Sequence, residues 1–219
     1  MDKLTALFKG HHAELFQIHG ATPRGVDWND EAEMLYRYEK MLGVFNKDFL
    51  NLQSMPTLLD VGCGWGGLLK YARERGRSCD YTGIDVVEEM IDYCKEMYGN
   101  AEFRVADVFT LDPKLEQYDF VVCNAILTQR LTASITEMDE FSKRLVSKMF
   151  SLCRHGIAFN MMSNKVNFMV DNLFYKSPLE MVGFCFDQLS PRVRLDHGYS
   201  SLINQKGKYY DFTMYVFKN

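Results

Sequence analysis

A glycine-rich turn that follows an apolar strand constrains this 219-residue chain more than any other feature. Residues 58–67 read LLDVGCGWGG, an Asp-x-Gly-x-Gly-x-Gly pattern. Glycine allows the backbone to turn tightly and to approach a ligand with no Cβ atom in the way. A helix that begins near Gly66 would point free backbone N–H groups into the same crevice. The segment therefore predicts a strand, a tight turn and a helix that together bind a cofactor.

Strands and helices are predicted to alternate along the rest of the chain. The predicted strands are residues 57–61, 80–84, 102–105, 120–123, 156–159, 192–196 and 210–217. The predicted helices between them are residues 66–75, 87–97, 135–153 and 178–189. This alternation is typical of an open, mostly parallel α/β sheet with helices on both faces. Such a sheet binds its ligand at the carboxyl ends of the central strands.

Two amphipathic helices precede the first strand. Residues 4–18 and residues 30 to about 49 carry apolar side chains near helical spacing. The segment HGATPRG at residues 19–25 separates them, because glycine and proline favour turns. We expect residues 1–52 to form a helical lid or cap and residues 53–219 to form the core, within one structural domain.

Two of the later strands lead into an acidic residue. Asp85 closes the segment YTGID, and Asp107 follows FRVA. A carboxylate at the first position can accept hydrogen bonds from both hydroxyl groups of a ribose. Asp107 is placed to accept a hydrogen bond from the exocyclic amine of adenine. A further apolar strand ends at Cys123 and opens into Asn124.

The glycine turn, the two acids and the Asn124 strand, in this order, resemble the class I S-adenosylmethionine (SAM) dependent methyltransferase family over about residues 57–159. The resemblance implies a Rossmann-like seven-stranded sheet of order 3-2-1-4-5-7-6, with the last strand antiparallel. It also implies SAM as the cofactor. The expected cofactor-binding residues are Trp28, Arg37, Asp60, Gly62, Gly64, Asp85, Val86, Met90, Asp107, Val108 and Asn124.

Within that family, the chain looks most similar to small bacterial trans-aconitate methyltransferase-like enzymes. Their usual Gly-x-x-Pro-x-Gly-x-x-Trp segment reads GATPRGVDW at residues 20–28, and Arg37 and Tyr38 follow. The resemblance implies that this segment covers the cofactor and that Arg37 faces the methionine carboxylate of SAM, whose shape suits a guanidinium. A salt bridge between Arg37 and neighbouring acids is the alternative.

The candidate catalytic residues are His197, Tyr199 and Asn160. A histidine titrates near neutral pH and can act as a general base, although many histidines in such positions are simply hydrogen-bonded structural groups. Tyr199 lies two residues further on and could orient the acceptor, while Asn160 ends a predicted strand at the active edge. His11 and His12, on the first helix, could reach the pocket if that helix covers it.

The composition and short motifs argue against nucleic acid, a metal ion or a membrane as a partner of this chain. A formal net charge of −4 provides no electrostatic footprint for nucleic acid. Asn124 begins Asn-Ala-Ile-Leu rather than the Asn-Pro-Pro-Tyr of enzymes that methylate amides or nucleobase amines. Six cysteines without a C-x-x-C pair predict reduced thiols in the cytoplasm and no metal site. No long apolar run suggests a signal peptide or a membrane span.

Three functions remain open on the sequence. The first is methyl transfer from SAM to an oxygen or nitrogen atom of a small polar metabolite or sugar, by a monomer or a homodimer. The second is a SAM-binding sensor or partner subunit without turnover. The third is an NAD-dependent oxidoreductase, because the glycines at positions 62, 64, 66 and 67 loosely fit its loop too. The second acid and the closing antiparallel strand favour SAM.

Overall fold

The computed structural model describes residues 1–45, 55–198 and 210–218, and a single mixed sheet runs through them. Its strands are β1 (Thr57–Val61), β2 (Asp80–Asp85), β3 (Glu102–Val105), β4 (Tyr118–Cys123), β5 (Cys153–Ser163), β6 (Tyr175–Lys176), β7 (Val193–Asp196) and β8 (Asp211–Phe217). The helices are α1 (Lys3–His19), α2 (Glu31–Leu42), α3 (Gly67–Glu74), α4 (Glu88–Met97), α5 (Ile135–Leu152) and α6 (Pro178–Gln188).

The strand order is β3-β2-β1-β4-β5-β8-β7. Strands β1 to β5 pair in parallel, and β8 lies antiparallel between β5 and β7. When the two-residue β6 is set aside, this is the predicted order 3-2-1-4-5-7-6, so the predicted fold class is confirmed. β5 is longer than predicted because it pairs with β8 as far as Met162 and then with β6.

Hydrophobic layers cover both faces of the sheet. Successive residues of a strand point to opposite faces, so Leu58 and Leu59 of β1 enter different layers. One layer contains α1, α5 and α6, and the other contains α2, α3 and α4. This is the arrangement that alternating strands and helices predict.

The two N-terminal helices differ in how firmly they pack. Helix α2 buries Met34, Met41 and Leu42 to 1% exposure or less, in the same layer as the core helices α3 and α4. Helix α1 has three buried residues, all within its first two turns. α2 ends at Leu42, earlier than predicted, because Gly43 starts a 3-10 turn; residues 46–49 of the predicted helix lie outside the described residues.

None of the helices in the described ranges is long and apolar enough to cross a membrane.

Candidate functional site

A cavity lies over the carboxyl ends of β1 to β4, and α1, α2 and the short turn between them also line it. The parallel strands bring residues from distant parts of the sequence to this edge. All eleven residues predicted to bind the cofactor line this one cavity: Trp28, Arg37, Asp60, Gly62, Gly64, Asp85, Val86, Met90, Asp107, Val108 and Asn124.

The turn after β1 requires its glycines. Gly62, Gly64 and Gly66 have φ angles of 74°, 55° and 80°, in the left-handed region that residues with a Cβ atom rarely adopt. A Cβ atom on Gly62 would also lie 2.5 Å from the Ile126 side chain. The Gly62 N–H donates to the carbonyl of Ile84 at 2.8 Å, which holds the turn against β2.

Asp85 links the glycine turn to the next helix. Its Oδ2 accepts from the Gly64 N–H at 3.0 Å, and its Oδ1 accepts from the Val87 N–H at 2.9 Å. Burial raises the pKa of Asp85, although these backbone hydrogen bonds work against the increase. Each carboxylate oxygen keeps a second lone pair, so Asp85 can still accept hydrogen bonds from a ligand in the cavity.

Asp60 is an acid with a shifted pKa beneath the turn. It is 2% exposed, and its Oδ2 accepts from the Tyr81 hydroxyl at 2.6 Å. Burial raises the pKa of Asp60 to about 7; the Tyr81 hydrogen bond opposes this increase and the nearby Asp85 charge adds to it. Asp60 therefore changes charge near neutral pH at the wall of the cavity.

Asp107 and Asn124 are the remaining polar residues that follow the parallel strands and line the cavity. The Asp107 side chain caps a 3-10 turn by accepting from the Phe109 N–H at 3.1 Å. Asn124 Oδ1 is buried and has no hydrogen-bond partner within the ranges that the structure describes. Because buried polar atoms are normally paired, this oxygen fits a ligand that brings a donor into the cavity.

Arg37 makes the salt bridges that the sequence left as an alternative. Its guanidinium pairs with Asp211 of β8 and, at 3.1 Å, with Glu33, and it stacks 4.3 Å from the centre of the Trp28 ring. Arg37 and Asp211 are 2% and 0% exposed. The buried partner Asp211 was not identified from the sequence, because it lies 174 residues away and reaches Arg37 only through the pairing of β8 with β5.

Asn160 does not contact the cavity, contrary to the expectation that it meets the substrate. It is 0% exposed, and its Oδ1 accepts from the Ala125 N–H at 2.8 Å. Ala125 has a φ of 72°, so Asn160 supports an unusual backbone turn directly after Asn124. The structure therefore gives Asn160 a supporting position behind the cavity wall.

His197 lies in a different groove from the cavity, beside Lys40 and Asp196. It follows β7, which is four strand positions from β1, roughly 19 Å at the usual spacing of strands. The structure therefore does not bring His197 to the predicted site. Tyr199 lies outside the described residues.

A second polar group lines the cavity near the end of β4. The Asp27 carboxylate binds His11 at 2.9 Å and the Gln129 amide at 2.6 Å, and His12 also lines the cavity. The sequence analysis considered His11 and His12 but did not identify Asp27. Asp27 reaches this position through a left-handed backbone conformation, with a φ of 63°, for which the sequence contains no glycine signal.

The raised pKa of Asp60 predicts a specific dependence of stability on pH. The native protein holds a proton on Asp60 between the unfolded pKa of about 3.9 and the folded value, so its free energy of unfolding falls as pH rises through that range. The variant Asp60→Asn should lack this decrease. Urea unfolding from pH 5 to pH 8 should show wild type losing up to about 3 kcal/mol relative to the variant. Parallel curves for the two proteins would contradict the raised pKa.

Comparison with known proteins identifies relatives of the chain. Residues 58–148 match a family model described as "Methyltransferase domain". A Mycobacterium tuberculosis protein described as a methyltransferase is 32% identical over 167 residues, which cover 74% of this chain and 93% of the relative. A malonyl-[acyl-carrier protein] O-methyltransferase of Acetivibrio thermocellus is 37% identical over 82 residues, covering 36% of this chain and 29% of that enzyme.

Solved structures share the fold. The plantazolicin methyltransferase BpumL, in complex with a pentazolic desmethylPZN analog and S-adenosylhomocysteine (SAH), aligns over 100% of both chains with a TM-score of 0.61 and 13% identity. The DhpI–SAH complex aligns over 97% of this chain and 95% of its own, with a TM-score of 0.59 and 15% identity. Because the Mycobacterium tuberculosis relative matches over nearly its full length, residues 58–148 match the methyltransferase family model, and the chain has the Rossmann-like fold, this chain belongs to the class I SAM-dependent methyltransferase family.

Proposed function

We propose that this methyltransferase transfers the methyl group of SAM to an oxygen or nitrogen atom of a small polar metabolite or sugar. One observation carries the proposal: a single cavity is lined both by the predicted cofactor residues and by a second polar group around Asp27. SAM supplies a methyl group on a positively charged sulfur with a good leaving group. The chain must mainly hold the two reactants in line and exclude water, because alignment can supply much of the rate.

The carboxyl ends of the strands form the part of the cavity that binds the cofactor. In this proposal Asp85 accepts hydrogen bonds from the ribose hydroxyls, and Asp107 accepts from the adenine amine. The glycine turn gives the cofactor close access to backbone, and Asn124 lies near the sulfonium. Both acids line the cavity, and the carboxylate oxygens of Asp85 retain lone pairs that point away from its two backbone donors.

The charge of the cavity suits a cationic cofactor. Its described lining includes the carboxylates Asp27, Asp85 and Asp107, whereas the charge of Arg37 is balanced by Glu33 and Asp211. A cavity with excess negative charge favours a ligand with a positive sulfonium and ammonium group. This supports SAM as the ligand.

The subtype, location and assembly are further parts of the proposal. The segment at residues 20–28 that resembles trans-aconitate methyltransferase-like enzymes contributes Val26, Asp27 and Trp28 to the cavity, which supports that subtype. All six cysteines are free thiols, which supports a reducing, cytoplasmic location. We propose a monomer or a homodimer.

We propose that residues 1–52 act as the cap and that α1, rather than α2, is its moving part. α1 packs through few buried residues, whereas α2 is embedded in the core layer. Entry of a ligand into a covered cavity requires such a movement.

Hydrogen exchange tests the cap. Peptides from residues 3–28 should exchange several-fold more slowly when SAH is bound, because the ligand stabilises the closed cap. Peptides from residues 31–42 should exchange slowly in both states and serve as the internal control. Equal exchange of residues 3–28 with and without SAH would contradict a moving cap.

Substitution of Asp85 tests the cofactor assignment. Asp85→Ala removes the charged acceptor for the ribose and should weaken SAH binding by about 2–4 kcal/mol, or roughly 30-fold to 1,000-fold. Titration calorimetry would measure the dissociation constant, and circular dichroism would confirm folding. The matched control is Asp92→Ala on α4, where the side chain is 67% exposed. Equal SAH affinity in the folded Asp85 and Asp92 variants would overturn the assignment.

A further inference from the structure

The polar group near the end of β4 has its own connections, distinct from the acids of β1 to β3. Nε2 of His11 and Nε2 of Gln129 both bind Oδ2 of Asp27, at 2.9 and 2.6 Å. His12 lines the same cavity, and its ring centre lies 5.1 Å from that of His11. We call these four residues the Asp27 cluster. The cluster connects α1 and the turn that follows it to the loop after β4.

Asp27 fixes the direction of the Gln129 amide. Burial raises the pKa of Asp27, but hydrogen bonds from His11 and Gln129 outweigh this and hold that pKa below its usual value. The ionised carboxylate can only accept hydrogen bonds, so the NH₂ group of Gln129 must face it. Oε1 of Gln129 therefore points away from Asp27.

This arrangement leaves the Gln129 side-chain carbonyl oxygen without a hydrogen-bond donor among the described residues. Oε1 of Gln129 is buried and has no hydrogen-bond partner in the part of the chain that the structure describes, and Gln129 lines the cavity. A buried carbonyl oxygen without a partner is unfavourable. A ligand group that carries an N–H or O–H would satisfy it.

His12 adds an uncharged imidazole to the same wall. Burial and the neighbouring His11 lower the pKa of His12 to about 4, although the Asp27 charge opposes the decrease. At neutral pH His12 therefore has no charge and offers one donor and one acceptor nitrogen. It can bind an uncharged polar group but provides no positive charge for an anion.

A negatively charged acceptor would find little support in this cavity. Among its described lining residues the one permanently cationic side chain is Arg37, and Glu33 and Asp211 already pair with it. A carboxylate beside Gln129 would face the carbonyl oxygen Oε1 and the charge of Asp27. Both contacts would be repulsive.

We propose that Gln129 and His12 bind the methyl acceptor and select an uncharged nitrogen or oxygen that carries a hydrogen. This inference rests on the proposed function. Hydrogen bonds to Gln129 Oε1 and His12 would orient the acceptor so that a lone pair faces the methyl group. The acceptor gains the methyl group as the sulfur–methyl bond breaks, and it takes over the positive charge. It then loses its hydrogen as a proton to bulk water as the product leaves the cavity.

Three fragments with the same ring test the selectivity. Aniline, phenol and benzoate differ in the group that they present: an uncharged amine, a hydroxyl and a carboxylate. Saturation-transfer NMR on the SAH-loaded protein near neutral pH should show aniline and phenol binding, with benzoate weaker by about tenfold or more. Whichever of aniline and phenol binds with the higher affinity indicates whether the natural acceptor is an amine or a hydroxyl.

Variants connect the selectivity to the named residues. Gln129→Leu and His12→Phe should each weaken aniline and phenol binding while calorimetry shows unchanged SAH affinity, which also demonstrates folding. The matched control Gln117→Leu changes an exposed glutamine outside the cavity and should bind all ligands as wild type does.

Three results would overturn the inference: benzoate binding as tightly as aniline and phenol, no binding of either aniline or phenol, or unchanged binding of both in Gln129→Leu. Failure of wild type to bind SAH would contradict the proposed function itself, and the inference with it.

Discussion

The two backbone hydrogen bonds to Asp85 are the contacts on which the cavity depends. The carboxylate holds the Gly64 N–H at one oxygen and the Val87 N–H at the other, and so fixes the turn after β1 against the end of β2. The turn can reach this position because Gly62 and Gly64 adopt left-handed conformations. Together with the hydrogen bond from the Gly62 N–H to the Ile84 carbonyl, this connection holds the ends of β1 and β2 in one wall of the cavity.

The N-terminal helices reach the core through two polar connections of different character. Arg37 of α2 pairs with Asp211 of β8, and both side chains are almost completely buried. Asp27, after α1, binds Gln129 at the edge of the cavity and remains partly accessible. A buried ion pair is strongly unfavourable to break, whereas a partly solvated contact exchanges with water more easily. This contrast supports the proposal that α1 moves while α2 stays with the core.

The sheet order and the cavity lining were predicted because the glycine turn and the acids after the strands resemble those of a known family, and the resemblance implies the strand order. A glycine turn and an acid after a strand each mark a carboxyl end, and parallel strands bring these ends together. The sequence could not locate the partners of Arg37 and Asn160, because these depend on how β5 pairs with β8 and on side-chain direction. His197 was misplaced for a different reason: the strand order implied by the resemblance already puts the strand before His197 at the far edge of the sheet, but the choice of a general base rested on residue type alone. The backbone conformation of Asp27 could not be predicted either, because a left-handed conformation at a residue other than glycine has no clear sequence signature.

A crystal structure of the protein with SAH tests the central claim most directly. The account predicts the ribose hydroxyls within hydrogen-bond distance of Asp85, the adenine amine at Asp107, and the sulfur atom on the side of the cavity that Gln129 and His12 line. A nucleoside bound elsewhere, or with its sulfur directed away from the Asp27 cluster, would contradict the account.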